Sequence, residues 1–316
     1  MPLTYDPEFQ NAAPAIPPTA APVHAIAERR DAMTGFFQPL LDKIPDSEDV
    51  DYTKYLVRSY DGLYIPVHRF SKRSKKAMKS RGPAILHCHG GGMIIGNVTM
   101  FKKTLEQQVQ QCGVQVFSVD YRLAPEHPHP VPVEDCYAAL TWLYEHQDQF
   151  SIDLERMAIM GESAGGCLAA GVSLLARDRG LFPRLAKQIL IYPMLDDRNT
   201  TPNLSLEPLA VWKVADNITS WTALLRGSNK DGPVSQYAAP ARAETVDGLQ
   251  SAYIEVGDLD IFRNESIQYV ARLAAAGVGV EFHLYPGVPH LFDILAPQIT
   301  ATKRALENRL RVIRSL

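Results

Sequence analysis

A chain of 316 residues, 46% of them hydrophobic, is long enough to bury one large core and carry insertions. A formal net charge of -3 excludes a broad field that attracts nucleic acid or anionic membrane, and there is no run of about 18 apolar residues to span a bilayer. The four cysteines, Cys88, Cys112, Cys136 and Cys167, show neither CxxC spacing nor the density of a disulfide scaffold, so buried free thiols are expected.

Residues 1–22 are rich in Pro and Ala, and an extended segment is expected. They lack the basic start and apolar centre of a secretory signal, so the expected location is the cytoplasm. From Val23 to Lys43 the pattern turns helical. Ile26, Met33, Phe36, Phe37, Leu40 and Leu41 recur at three- and four-residue steps, and Pro39 is expected to interrupt the helix. Tyr52 to Ser59 and Leu63 to Phe70 flank Asp61-Gly62, which predicts a hairpin. The basic run Lys72 to Arg81 is broken by serines and ends in Gly82-Pro83, the mark of a solvated loop rather than a nucleic-acid surface.

After this loop strands and helices alternate. Strands are expected at Pro83 to Cys88, Val114 to Val119, Met157 to Met160, Gln188 to Met194, Ala252 to Val256 and Val280 to Tyr285. Helices are expected at Lys102 to Gln111, Val133 to Phe150, Ala164 to Arg177, Asn264 to Ala276 and Ala296 to Ile313. Repeated βαβ units predict an α/β fold with a mainly parallel central sheet and helices on both faces. Asp197 to Val246 breaks the rhythm and holds Trp212 and Trp221. Such a long excursion is expected to carry its own structure. Residues 1–50 and 197–246 are therefore expected to form a helical cap, and residues 51–196 and 247–316 the two parts of the core.

Three short motifs carry chemistry. Gly161-Glu162-Ser163-Ala164-Gly165 lies between a strand and a helix of small residues. A sharp strand-to-helix turn there presents Ser163 Oγ above the sheet, and the N–H of Ala164, the next residue, faces the same space. His89-Gly90-Gly91-Gly92 follows an earlier strand, where consecutive glycines let backbone N–H groups approach an oxyanion. His290 follows Pro289 just past the last strand, in position to act as a base toward Ser163. The acid is expected after the next-to-last strand, where Asp258 and Asp260 both qualify. Glu162 reads as structural. The pairs His87 and His89, and His127 and His129, lack the further ligands that a metal site needs, so no metal is expected. The chain order serine, acid, histidine is that of an α/β-hydrolase.

The chain resembles the hormone-sensitive-lipase family of carboxylesterases, the α/β-hydrolase-3 group. The resemblance runs from Pro83 to Phe292, apart from most of the excursion, on HGGG at 89–92, DYRLAPE at 120–126, GESAGG at 161–166, Asp260-Ile261-Phe262-Arg263 and His290. It implies Ser163, Asp260 and His290 as the catalytic residues, Gly91, Gly92 and Ala164 as oxyanion donors, and Gly90 as the hinge of the loop. The DYRLAPE string is expected to brace that loop. The resemblance further implies a small-molecule ester as substrate, no metal or organic cofactor, and, as in some members, a homodimer through the sheet edge. Met93 stands where the family commonly has an aromatic residue. With Phe36, Phe37 and Trp212 it is expected to line an apolar pocket for short to medium acyl groups. Ile261-Phe262 and Glu162 also depart from the family pattern, without removing a reacting group. An amide, thioester or lactone substrate uses the same residues. A non-catalytic receptor on this fold is the reading from another class.

Overall fold

The computed structural model describes residues 2–15, 25–73, 80–227 and 233–316. Most of the basic run, residues 74–79, lies outside them, as does part of the N-terminal segment expected to be extended. The described part of that segment contains a short helix, α1 (Pro7–Ala12), with Pro in its first turn. The Asp6 side chain accepts from the N–H groups of Glu8 and Phe9, so a side-chain cap starts a helix that the Pro-rich composition concealed.

Helix α2 (Ile26–Leu41) runs through Pro39 without a break. Pro39 lies two residues from the helix end, where the missing N–H costs a single hydrogen bond. The hairpin pairs β1 (Val50–Arg58) with β2 (Tyr64–Lys72) across the Asp61-Gly62 turn. There follow β3 (Gly82–Cys88), α3 (Val98–Cys112), β4 (Gln115–Val119), α4 (Val131–Glu145), β5 (Ile152–Glu162), α5 (Ala164–Asp178) and β6 (Lys187–Ile191). The excursion contains α6 (Val214–Leu224) and one turn of 3-10 helix, Pro240–Arg242. The chain ends with β7 (Ser251–Gly257), α7 (Arg263–Ala275), β8 (Val280–Tyr285), α8 (Phe292–Leu295) and α9 (Thr300–Arg314). The closing helix expected from Ala296 begins at Thr300, beyond Pro297, where Glu8 accepts from the Thr300 N–H at 2.6 Å, and the short α8 precedes it.

Among the described residues eight strands form one sheet in the order β1-β2-β4-β3-β5-β6-β7-β8. β1–β2 and β2–β4 are antiparallel, and every other pair is parallel. The central strands read as continuous apolar runs because both faces are covered. In β5, Met157 and Ile159 enter the core on the α4–α5 side, and Ala158 and Met160 enter the core on the α3–α9 side. The cysteines are free thiols, three of them buried. No helix among the described residues is long and apolar enough to cross a membrane.

Two segments outside the sheet meet above the carboxyl ends of the parallel strands. Arg29 of α2 and Asp216 of α6 form a buried ion pair at 2.8 Å, and the second Asp216 oxygen accepts from the Lys213 N–H at the start of α6. Arg30, the next residue, reaches the other way. It donates to Ile94 O and Ala124 O, and to both Glu126 oxygens at 2.8 Å. Consecutive arginines on α2 therefore hold one segment to the other and to the strand-end loops.

Candidate active site

Strand β5 ends in the sharp turn that carries Ser163, whose φ of 55° lies in a region that non-glycine residues rarely adopt. The turn persists because its surroundings over-determine it. Ser163 N–H donates to Ile191 O, and Ser163 O accepts from Cys167 and Met194. Helix α5 must also approach the neighbouring strand closely. A Cβ on Gly165 would lie 1.9 Å from Cys88 O, so only glycine fits there.

His290 stands on the loop between β8 and α8. Its Nε2 lies 2.9 Å from Ser163 Oγ and its Nδ1 lies 2.5 Å from Asp260 Oδ2. The edges of Tyr192 and Phe262 pack on the imidazole at centroid distances of 4.7 and 5.1 Å, which fixes the ring plane. Asp260 is fully buried, and its other oxygen accepts from the Phe262 N–H at 2.9 Å. The two aspartates that local sequence left open now part. Asp258 Oδ1 accepts from the Gly287 N–H at 2.6 Å, on the turn that leads to His290. Its carboxyl is half-buried, and that burial raises its pKa.

The glycine loop closes the other side of the serine. Gly91 and Gly92 have φ of 119° and 60°, and Gly91 O accepts from Ile94 and Ile95. The N–H groups of Gly91, Gly92 and Ala164 donate to no backbone carbonyl among the described residues. The Ala164 N–H is the first of the orphan donors at the start of α5.

The DYRLAPE string wraps this loop. Tyr121 OH donates to His89 O at 2.8 Å, and the Tyr121 ring stacks on the His89 imidazole at 4.2 Å. Asp120 accepts from the Val98 N–H, Ala124 N–H donates to Met93 O, and Arg122 is held by Asp135 and Asp61. Burial pushes the His89 imidazole down to about 4, so it stays neutral at physiological pH beside the Gly90 carbonyl. Glu162 turns away from Ser163. Its carboxylate lies 2.8 Å from His87 Nε2, and His87 Nδ1 lies 2.8 Å from Ser118 Oγ.

A cavity of about 60 Å³ holds Ser163, His290 and the three loop glycines in its wall. Phe37 and Trp212 line it as expected, together with Met33 and Leu41 of α2, Phe101 of α3 and Ile294 of α8. Two expected lining residues are elsewhere. Met93 is fully buried in the core and has a φ of 61°. Phe36 is one step round the helix from Phe37 and packs edge-on against it at 5.0 Å.

A family model described as alpha/beta hydrolase fold matches residues 85–294. The chain belongs to this α/β-hydrolase family. Within the family it falls in the hormone-sensitive-lipase-like group of carboxylesterases that its motifs resemble. It is 36% identical over 240 residues to esterase LipI of Mycobacterium tuberculosis, covering 75% of this chain and 73% of that one. It is 31% identical to carboxylesterase NlhH of the same species, covering 81% of this chain and 80% of that one. Among solved structures, a bacterial heroin esterase matches with a TM-score of 0.89 and 33% identity, covering 99% of this chain and 98% of that one.

The pocket residues of this α/β-hydrolase that sequence reasoning missed divide into two kinds. Met33 and Leu41 stand four residues either side of the expected Phe37, so one face of α2 was legible in the spacing. Phe101 and Ile294 come from helices far apart in sequence, and no local pattern brings them together. Among the described residues no group of three His, Cys, Asp or Glu is placed to hold an ion.

Proposed function

We propose that this protein hydrolyses small carboxylic esters through an acyl-enzyme, with Ser163 as nucleophile, His290 as base and Asp260 as acid. The observation that carries the reading is the hydrogen-bonded chain from Ser163 Oγ through both His290 nitrogens to Asp260, set beneath a glycine loop whose N–H groups donate to no backbone carbonyl among the described residues. Neutral His290 takes the hydroxyl proton at Nε2 as Ser163 Oγ adds to the ester carbonyl. Asp260 accepts the Nδ1–H, which sets the tautomer, and stabilises the imidazolium that forms. The N–H groups of Gly91, Gly92 and Ala164 bind the oxyanion, each contributing about 3 kcal/mol at the transition state. His290 then protonates the departing alkoxide. In the second half it activates water, which releases the acid and restores Ser163.

Residues 1–50 and 197–246 act as the cap over a core of residues 51–196 and 247–316, and α2 and Trp212, just before α6, wall the pocket on that side. A cavity of about 60 Å³ with apolar walls supports short acyl groups over long ones. The test is hydrolysis of p-nitrophenyl esters across acyl lengths by the wild type and Ser163→Ala. Turnover that declines with chain length in the wild type, and falls by about four orders of magnitude or more in the variant, is expected. A folded wild type inactive on every ester overturns the reading.

A further inference from the structure

Buried polar groups in folded proteins are paired, and an unpaired donor is costly unless a ligand meets it. The residues 197–246 bring three such donors together. Trp212 Nε1, Ser220 Oγ and Trp221 Nε1 are buried with no hydrogen-bond partner among the described residues. Their positions separate them. Trp212 lines the catalytic cavity beside Ser163 and His290, whereas Ser220 and Trp221 do not line it.

Trp212 is 4% exposed, and its benzo edge lies against the glycine loop. A Cβ on Gly92 would fall 2.9 Å from both Trp212 Cζ2 and Cη2. Cζ2 neighbours the ring carbon that bears Nε1, so the N–H bond leaves from the same side of the indole. The edge of the indole next to the donor therefore lies against the loop that holds the Gly91 and Gly92 N–H groups. The cavity side chains Met33, Phe37, Leu41 and Phe101 are apolar, and the hydroxyl nearest the same point, Ser220 Oγ at 2.4 Å from that Cβ position, makes no hydrogen bond with the indole. An indole N–H only donates and does not ionise, so its partner must be an acceptor rather than an ammonium or amide N–H.

We infer that Trp212 Nε1 donates a hydrogen bond to the bound substrate, and that the preferred esters carry an acceptor oxygen close to the scissile carbonyl, as alkoxy-, hydroxy- and keto-esters do. This rests on the esterase reading above. A purely aliphatic ester leaves the N–H unpaired in an apolar pocket. A site built around a donor discriminates against the analogue that lacks the acceptor.

The test compares two pairs in which one CH2 is replaced by oxygen. They are p-nitrophenyl methoxyacetate against p-nitrophenyl butyrate, and 2-methoxyethyl acetate against butyl acetate. Each kcat/KM ratio is divided by the ratio for hydroxide-catalysed hydrolysis, which removes intrinsic reactivity. The wild type is expected to favour the ether ester by roughly tenfold beyond hydroxide in at least one pair, and Trp212→Phe to abolish that preference while keeping an aromatic ring. Corrected ratios near one in both pairs overturn the inference. So does a Trp212→Phe loss equal for both members of each pair, which would place the N–H on the oxyanion instead. If the variant does not fold, the wild-type ratios decide alone. A wild type with no ester turnover overturns the esterase reading itself, an outcome distinct from turnover without preference.

Discussion

A serine hydroxyl becomes a nucleophile only when a neighbouring base takes its proton, so the residues that orient His290 matter as much as Ser163. Asp260 and Asp258 are two residues apart and do different work. Asp260→Asn presents an amide to His290 Nδ1 and favours the wrong tautomer, so kcat is expected to fall by about four orders of magnitude with little change in melting temperature. Asp258→Asn keeps an oxygen for the Gly287 N–H, and kcat is expected to fall less than about tenfold. Steady-state kinetics on the two variants separates them. His89 predicts a pH effect of definite sign. Its folded pKa is about 4, below the ordinary 6.5, so its contribution is fully present above about pH 6.5 and is lost as pH falls toward 4. Burial pushes His68 and His129 in the same direction. Denaturant titrations should show His89 costing on the order of 3 kcal/mol across that window, and His89→Gln should flatten the slope relative to wild type.

The elements around the pocket differ in how firmly they are held. Strand β5 and helix α5 are buried along most of their length, so the nucleophile rests on a rigid base. Helix α2 is held to the strand-end loops by Arg30, which donates to Ile94 O and Ala124 O and pairs with Glu126. That ion pair is partly exposed and contributes only about 1 kcal/mol or less to global stability. Arg30→Ala is therefore expected to leave the melting temperature within a few degrees of wild type. It should raise KM several-fold and speed proteolysis within α2, which limited digestion followed by mass analysis reads directly. Helices α3 and α8 bound the pocket from the other side. Phe101 and Ile294 line both the catalytic cavity and a larger one of about 590 Å³ beyond it. Phe101→Ala should join the two and shift the best p-nitrophenyl ester toward longer acyl chains. An unchanged length profile would show that the partition lies elsewhere.

At the scale of the molecule, the parallel strands bring four distant segments to one end of the sheet: the loops after β3, β5, β7 and β8. Ser163 and His290 are 127 residues apart in sequence and 2.9 Å apart in space. Ligands of open α/β sheets bind at the carboxyl ends of the strands, and the site follows that rule. The order of elements was legible in the sequence because both-face burial writes continuous apolar runs for strands and longer periodic stretches for helices. The glycines at 90–92 and 161–165 were legible because close backbone approach tolerates no other residue. Three things were not. The short helix at Pro7–Ala12 depends on a side-chain cap. The burial of Met93 in the core, away from the pocket, depends on packing that no local pattern announces. The pocket wall depends on Phe101 and Ile294 meeting across separate helices. By itself, then, the sequence determined the fold class, the order of the reacting residue types and the backbone points where only glycine fits, since all of these are written in local pattern. Tertiary structure settled the choice between the two aspartates that local pattern left open, with Asp260, the one the family resemblance implied, meeting His290, and it alone decided what the apolar face of α2 packs against and which donor is left unpaired there. Those are contacts between segments far apart in the chain, set by how the sheet and the two segments above it pack.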